Sequence, residues 1–126
     1  MASALITQAR IIENSGVVLM ARVVKDSGAA IQQADISGLT CKVYNYEDGS
    51  LIASPTLTVA GNIFDSLQKP ASWTVDSTGY NFSASLAGSN FPEGGVTYRV
   101  EVKFSPASGN AFYVLFDLQA LNILSE

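Results

Sequence analysis

The segment 96–118 predicts a β-hairpin whose two arms follow different patterns. In the first arm, apolar residues occupy every second position from Val96 to Phe104, with polar or charged residues between them. Because successive side chains of a strand point to opposite faces, this period of two indicates one buried and one wet face. In the second arm, Tyr113 and Leu115 make the outward face apolar as well. A strand of that kind needs cover on both faces, so we expect a second contact there.

Turn signals separate further segments with the same period, at 17–25, 39–46 and 80–86. An Asp-Gly pair follows the second of them and is typical of a hairpin turn. The inward faces are predicted to carry Val17, Leu19, Ala21, Val23, Leu39, Cys41, Val43, Tyr80, Phe82, Ala84 and Leu86. Asn81, between two inward residues of the third segment, is predicted to face solvent.

Residues 61–72 break this rhythm. Ile63, Phe64 and Leu67 fall at the spacing of one helical turn, which predicts a short helix plugging one end of the core. About seven short strands between turns that contain Gly or Pro predict an all-β fold. We expect an antiparallel immunoglobulin-like β-sandwich of about seven strands with one short helical turn. The disulfide and buried-tryptophan pattern of antibody domains is absent from this sequence.

A chain of 126 residues fits a single domain with one core. We place the sandwich at 16–126 and treat 1–15 as an N-terminal arm or first strand. The arm contains ALITQARII, which pairs within its own sheet or reaches across to a neighbouring subunit. The N-terminal residues lack the pattern of a signal peptide, and no apolar run has the length of a bilayer span. We therefore expect no membrane partner.

The charge pattern argues against nucleic acid as a partner. Seven basic residues against eleven acidic ones give a net charge of -4, and the basic residues are scattered along the chain. Phosphate binding needs a concentrated basic face. The one cysteine, Cys41, cannot form an intrachain disulfide and alternates with Leu39 and Val43, which indicates a small buried apolar side chain.

The sequence offers no catalytic constellation. It contains no histidine, the commonest general base and transition-metal ligand, so a Ser-His-Asp or Cys-His arrangement within one chain is excluded. Glycine-rich phosphate loops, paired-cysteine zinc spacings and calcium loops are missing as well. Acidic residues at turns and strand ends are expected to bond the local backbone: Asp26, Glu47, Asp48, Asp65, Asp76 and Glu93. We predict no enzyme activity, no catalytic residue, no cofactor and no metal site.

Outward aromatic residues are the candidates for binding. The alternation that buries Cys41 and Val43 turns Tyr44 and Tyr46 outward. Outward tyrosines suit a protein interface, and they equally suit the stacking of sugar rings in a carbohydrate-binding or receptor-binding module. Charged residues alternate along the first arm of the hairpin and are predicted to be only its solvated face, with weak cross-strand pairing: Arg99, Glu101 and Lys103.

Several motifs resemble a pattern found in small proteins of tailed bacteriophages and their prophages. The matching residues are Trp73, Thr74, Asp76, Gly79, Tyr80, Asn81, Phe82, Phe91, Pro92, Gly94, Gly95, Tyr98, Arg99, Val100 and Glu101. Ala34, Asp35 and Ile36 resemble the beginning of the same domain. These motifs cover most of residues 20–110, whereas the N-terminal arm and the last strand match no part of the pattern.

The resemblance implies an immunoglobulin-like virion accessory protein without catalytic residues: a capsid decoration (cement) protein, or alternatively a neck or tail component. Its implied partners are the phage major capsid protein and further copies of itself, with a trimer as the expected homo-oligomer. Its implied location is the capsid surface of the virion, after synthesis in the host cytoplasm. Tyr113 and Leu115 would then be covered by the N-terminal arm, a sister subunit or the capsid.

Overall fold

A computed structural model describes residues 5–25, 27–69 and 78–123. Its strands are β1 (Leu5–Ile12), β2 (Val17–Ala21), β3 (Ile36–Asn45), β4 (Leu51–Ala53), β5 (Ile63–Gln68), β6 (Tyr80–Leu86), β7 (Thr97–Pro106) and β8 (Phe112–Leu121). A single α-helical turn, α1 (Val59–Asn62), precedes β5, and short 3-10 turns lie at Gln33–Asp35 and Gly88–Asn90. The predicted strand around Trp73 lies outside the described residues.

The strands form two sheets, one of five strands in the order β1-β8-β7-β3-β4 and one of three in the order β2-β6-β5. β3, β7 and β8 share one sheet, and β2, β6 and β5 form the other. This division is that of the immunoglobulin sandwich, in which strands C, F and G face strands B, E and D, with β4 in the place of strand C′. The predicted all-β, immunoglobulin-like fold is therefore confirmed, with eight strands among the described residues.

The pairing departs from a purely antiparallel sandwich at one place. β1 runs parallel to β8, with Leu5 opposite Val114 and Ile12 opposite Leu121. The other ladders between the described strands are antiparallel. β1 lies beside β8 in the plane of its own sheet and does not lie over the outward face of β8. The division of the chain at residue 15 stays a prediction.

The core fills the space between the two sheets, as the alternation predicts. Phe82 from β6 meets Phe104 and Phe116 from β7 and β8, with ring centroids 5.4 and 6.4 Å apart. The fully buried side chains include Val43, Val100, Val102, Val114, Leu118 and Ile63. Cys41 is buried among them, and burial raises the pKa of its thiol to about 11. The prediction of a small, buried, apolar cysteine is confirmed.

The predicted helix over 61–72 is wrong in position. The helical turn α1 begins at Val59 and ends at Asn62. The Thr58 hydroxyl caps its start by accepting a bond from the backbone N–H of Gly61. Ile63 then begins β5 and is buried opposite Phe82. The spacing of Ile63, Phe64 and Leu67 fits a helical turn, and it equally fits a strand with a register shift. β5 has such a shift between Ile63 and Gln68.

The prediction that Asn81 faces solvent is also wrong, because the amide is buried. The ladder between β2 and β6 ends at Ala21, so Val23 has no backbone partner on β6. The Asn81 side chain replaces that partner: it accepts from Val23 N at 2.8 Å and donates to Val23 O at 2.9 Å and to Ile31 O at 3.3 Å. A buried amide with all these bonds ties β6 to the segment between β2 and β3.

Tyr98, near the start of β7, forms a second side-chain lock. Its buried hydroxyl accepts a bond from Glu93 N at 2.8 Å and donates one to Glu93 O at 3.2 Å. A tyrosine that bonds the backbone just upstream of strand F is the tyrosine corner of immunoglobulin-type sandwiches. Two residues later, where antibody domains carry a disulfide cysteine, this chain has the buried Val100.

Candidate functional site

The outer face of the five-stranded sheet gathers the candidate binding residues. β3, β7 and β8 run side by side, and their register places nine outward residues in three cross-strand rows. The rows are Thr40–Lys103–Tyr113, Lys42–Glu101–Leu115 and Tyr44–Arg99–Asp117. The predicted interface residues Tyr44, Tyr113 and Leu115 thus share one surface. Their role as an interface stays a prediction.

A half-buried ion pair crosses the third row. Arg99 Nε donates to Asp117 Oδ1 at 2.7 Å, and Nη2 donates to Asp117 Oδ2 at 2.8 Å. The side chains are 22% and 14% exposed, so water screens this pair less than an ordinary surface pair. The bond to Asp117 raises the pKa of Arg99. Arg99 thus makes the cross-strand pairing predicted for the charge stripe, but it is more buried than the predicted solvated face.

Tyr46 extends this row at the end of β3. Its backbone N–H donates to Thr97 O at 2.9 Å, which holds the residue against β7. The Arg99 guanidinium carbon lies 4.5 Å from the centre of the Tyr46 ring, within the range of a cation–π contact. The ring remains 55% exposed. Tyr46, Arg99 and Asp117 therefore form an amphipathic cluster, joined by an ion pair and a cation–π contact, with an exposed ring.

Sequence reasoning missed Asp117 as a member of this site. The alternation along β8 shows Asp117 at an outward position, but it does not identify Arg99 as its partner. Arg99 and Asp117 stand at equal distances from the middle of the hairpin at Ser108, and this symmetry places them directly opposite each other. A hairpin register drawn from that turn was the signal that pairs them.

A shallow depression lies beside this cluster, over the boundary of β3 and β7. Its volume is about 200 Å³, and its rim is formed by Thr40, Lys42, Tyr44, Glu101, Lys103 and Tyr113. Tyr113, which is 41% exposed, and the half-buried Tyr44 lie on opposite sides of it. The structure therefore brings two of the predicted interface tyrosines to one concave surface. Tyr46 lies next to it, in the adjoining depression that Tyr44 also lines.

Leu115 occupies the middle row and is only half-buried. It lies opposite Glu101 on β7, while β1 flanks it in the plane of the sheet. The described strand β1 thus covers the edge of β8 and does not itself lie over the outward face. The expected cover of Tyr113 and Leu115, whether the N-terminal arm, a sister subunit or the capsid, stays a prediction.

Charge is unevenly divided between this face and the rest of the chain. The outward positions of β1, β3, β7 and β8 carry four of the seven basic residues, namely Arg10, Lys42, Arg99 and Lys103. They carry two of the eleven acidic residues, namely Glu101 and Asp117. A net positive sheet face therefore stands on a chain whose net charge is -4.

Carboxylates elsewhere serve the backbone. Asp48 accepts bonds from Ser50 N at 2.9 Å and Ser50 Oγ at 2.7 Å, which lower the pKa of its carboxyl. Asp65 accepts a bond from Gln33 N at 2.7 Å. Among the described residues, no group of three side chains has the arrangement of a metal site. No helix in the described ranges is long and apolar enough to cross a bilayer.

A second concavity, of about 680 Å³, lies at one end of the sandwich between the β2–β3 connection and the β7–β8 loop. Its charged groups are Lys25 and Asp35, and they already pair with each other at 3.4 Å. Asp35 also accepts a bond from Gln32 N at 2.9 Å, the main cause of its lowered pKa. Because these groups satisfy one another, the outer sheet face is the stronger candidate site.

Comparison with known proteins adds little to this description. No protein-family model matches the chain, and no curated protein sequence is significantly similar to it. Among solved structures, the Ig1 domain of mouse SynCAM 2 is 14% identical over 93% of this chain and 94% of that chain, with a TM-score of 0.35. The immunoglobulin-like assignment therefore rests on the strand order and on the tyrosine corner described above.

Proposed function

We propose that this chain is a non-enzymatic structural protein of a tailed-bacteriophage virion, a capsid decoration protein that docks on the major capsid protein and stabilises the head. The observation that carries the proposal is the outer face of the five-stranded sheet, where exposed aromatic and charged side chains meet. The resemblance of Gly79–Phe82, Phe91–Pro92 and Tyr98–Glu101 to phage proteins supplies the biological setting. A binding role needs no cofactor.

The composition of this face suits a protein partner. Tyrosine and arginine are enriched where proteins contact one another, because they combine apolar area with hydrogen-bonding groups. Here Tyr46 and Arg99 are held in place by each other and by Asp117, so little side-chain entropy is lost when a partner docks. The face is therefore organised before binding.

Particles provide the direct test of the function. Virions produced from the genome that encodes the chain are purified on a density gradient, and their proteins are identified by mass spectrometry and immunogold labelling. We expect the polypeptide in stoichiometric amount on the head, and we expect heads made without it to open at a lower temperature. Purified particles without the polypeptide would contradict the proposal. Label at the neck or tail would support those positions instead.

Self-association is the second part of the proposal, with a trimer as the expected assembly on the particle. Tyr113 and Leu115 supply the apolar area on β8 for such a contact. Light scattering of the purified protein is expected to give a mass above that of one chain, and Leu115→Asp is expected to return it to the monomer. Val18→Asp is the matched control, because Val18 is exposed on the other sheet. A monomer for the wild type in solution and on particles would contradict this part.

A carbohydrate-binding or receptor-binding module is the alternative function. The exposed ring of Tyr46 beside Tyr44 favours it, since sugar rings stack on exposed aromatic faces. A glycan array distinguishes the two: binding that Tyr46→Ala and Tyr44→Ala abolish would support the alternative. Silence on the array together with head binding would support the decoration protein.

A further inference from the structure

We propose that the depression between Tyr44 and Tyr113 binds a carboxylate side chain of an acidic partner protein. The inference rests on the proposed function only in that it takes the occupant to be a protein. It adds the chemistry of the contact: an Asp or Glu side chain of the partner inserts between two lysines and the flanking hydroxyl groups.

The lysines are placed for such a contact by the register of β3 and β7. Thr40 lies opposite Lys103, and Lys42 lies opposite Glu101, so the two lysines are diagonal neighbours. Diagonal positions on paired strands are about 7–8 Å apart, a distance that two flexible ammonium groups can close around one carboxylate. Both lysines line the same depression.

The positive charge of the depression is not fully balanced within the described part of the chain. Neither lysine has an ion-pair partner there within 4.0 Å. Glu101 is the one carboxylate on the rim, against two ammonium groups. Hydroxyl groups complete the rim, and those of Thr40, Tyr44 and Tyr113 can donate to an anion. A carboxylate of the partner would pair with the two ammonium groups and accept hydrogen bonds from the hydroxyl groups.

Other occupants fit this charge distribution less well. Two copies that placed this depression against the same depression of a second copy would bring like lysines together, which is repulsive. The trimer proposed above joins different surfaces of neighbouring copies and does not require that contact. Nucleic acid would meet a chain of net charge -4, whereas phosphate binding needs several clustered cations. An exposed Asp or Glu of a partner protein can bind to two lysines and does not require an extended basic surface.

The test uses the intact protein and a synthetic oligo-glutamate peptide as the probe. Amide chemical shifts are followed by NMR during titration at low ionic strength. We expect saturable changes centred on Thr40, Lys42 and Lys103. Lys42→Ala combined with Lys103→Ala is expected to weaken binding roughly tenfold, because each exposed charge contributes a few-fold in affinity. Lys69→Ala, an exposed lysine on the other sheet's side, is the matched control and is expected to leave affinity unchanged.

Glu101→Gln provides the sharper variant, because it is expected to improve binding. Glu101 is the one carboxylate among the described residues of the rim. Removing its charge removes its repulsion of the probe, so affinity is expected to rise roughly twofold. A purely structural role for these residues would produce no gain. Thermal unfolding of each variant verifies that the fold is intact.

Four outcomes would overturn the inference. Shifts spread over the surface, or an equal loss in Lys69→Ala, would mean nonspecific attraction. Tighter binding of an oligonucleotide of equal charge at the same residues would assign the depression to nucleic acid. A fall in self-association of the double lysine variant would assign it to a second copy. Because the titration needs no particles, it succeeds or fails independently of whether the protein is found in virions.

Discussion

The five-stranded sheet is held by long backbone ladders, whereas the three-stranded sheet depends on amide side chains where its ladders stop. β3, β7 and β8 each span ten residues and pair along nearly their whole length. β5, in contrast, meets β6 at Ile63 and Gln68, with a shift of register between them. Asn62 donates to Ser83 O at 2.8 Å and helps to hold α1 against β6.

This difference separates the residues that hold the fold from those that can bind. Outward side chains of the five-stranded sheet can change without loosening the ladders beneath them, so that face is free to carry a binding surface. Amides of the three-stranded sheet replace missing backbone partners and cannot be exchanged without loss of stability. Substitutions on the outer face of the five-stranded sheet are therefore expected to change binding, whereas substitutions of the amides of the three-stranded sheet are expected to change stability.

The largest loss of stability is expected for Asn81→Ala, which removes the buried amide of the three-stranded sheet. The backbone N–H of Val23 would remain buried without its partner, and a cavity would form. We expect the free energy of unfolding to fall by about 3 kcal/mol, measured by urea denaturation. Asn90→Ala, which loses a bond to Ala87 O in an exposed turn, is the control and is expected to cost less than 1 kcal/mol, about one-third as much. Equal losses would remove the distinction between buried and exposed amides.

An alkaline loss of stability is expected from Cys41, on the inward face of β3. Burial raises the pKa of this thiol from 9.0 to about 11. Above about pH 9 the unfolded chain releases the proton and the folded chain keeps it, so the stability contributed by the neutral thiol falls until about pH 11. The expected loss is roughly 2–3 kcal/mol. Urea denaturation at several pH values should show a shallower decline in Cys41→Ala, and identical pH profiles would contradict the burial effect.

Tyr98→Phe tests the side-chain lock at the start of β7. It removes the hydroxyl that both accepts from and donates to the backbone of Glu93. We expect a loss of about 1.5 kcal/mol in the free energy of unfolding, because two bonds are replaced by an unpaired backbone group. Tyr113→Phe, on the exposed face of the same sheet, is expected to change stability very little. If both variants were equally stable, the tyrosine corner would contribute nothing.

The smallest effect is expected for Asp117→Asn on the outer face. Arg99 would lose its charged partner, but both side chains still reach water, so the expected loss is about 1 kcal/mol. Glu101→Gln, one row away, is the control and is expected to be nearly neutral in stability. Thermal unfolding at low and high salt measures the difference. A loss as large as that of Asn81→Ala would contradict the separation between the two sheets.

Alternation predicted correctly those strands that are buried on one face and exposed on the other. β7 and the inward residues of β3 follow this pattern, and they lie where the sequence placed them. The helix over 61–72 was misplaced because Ile63, Phe64 and Leu67 suit two local structures, and only the neighbouring β6 selects the strand. Asn81 was misplaced because its partners lie on Val23 and Ile31, far along the chain.

The candidate site divides in the same way. Period-two alternation by itself determined that Tyr44, Tyr113 and Leu115 point away from the core, because the side chains of a strand alternate whatever its neighbours are. Tertiary structure decided which strands lie side by side, and therefore which outward residues meet. That order depends on pairing between distant segments, so only the assembled sheet places Tyr44 and Tyr113 on one depression and Arg99 against Asp117.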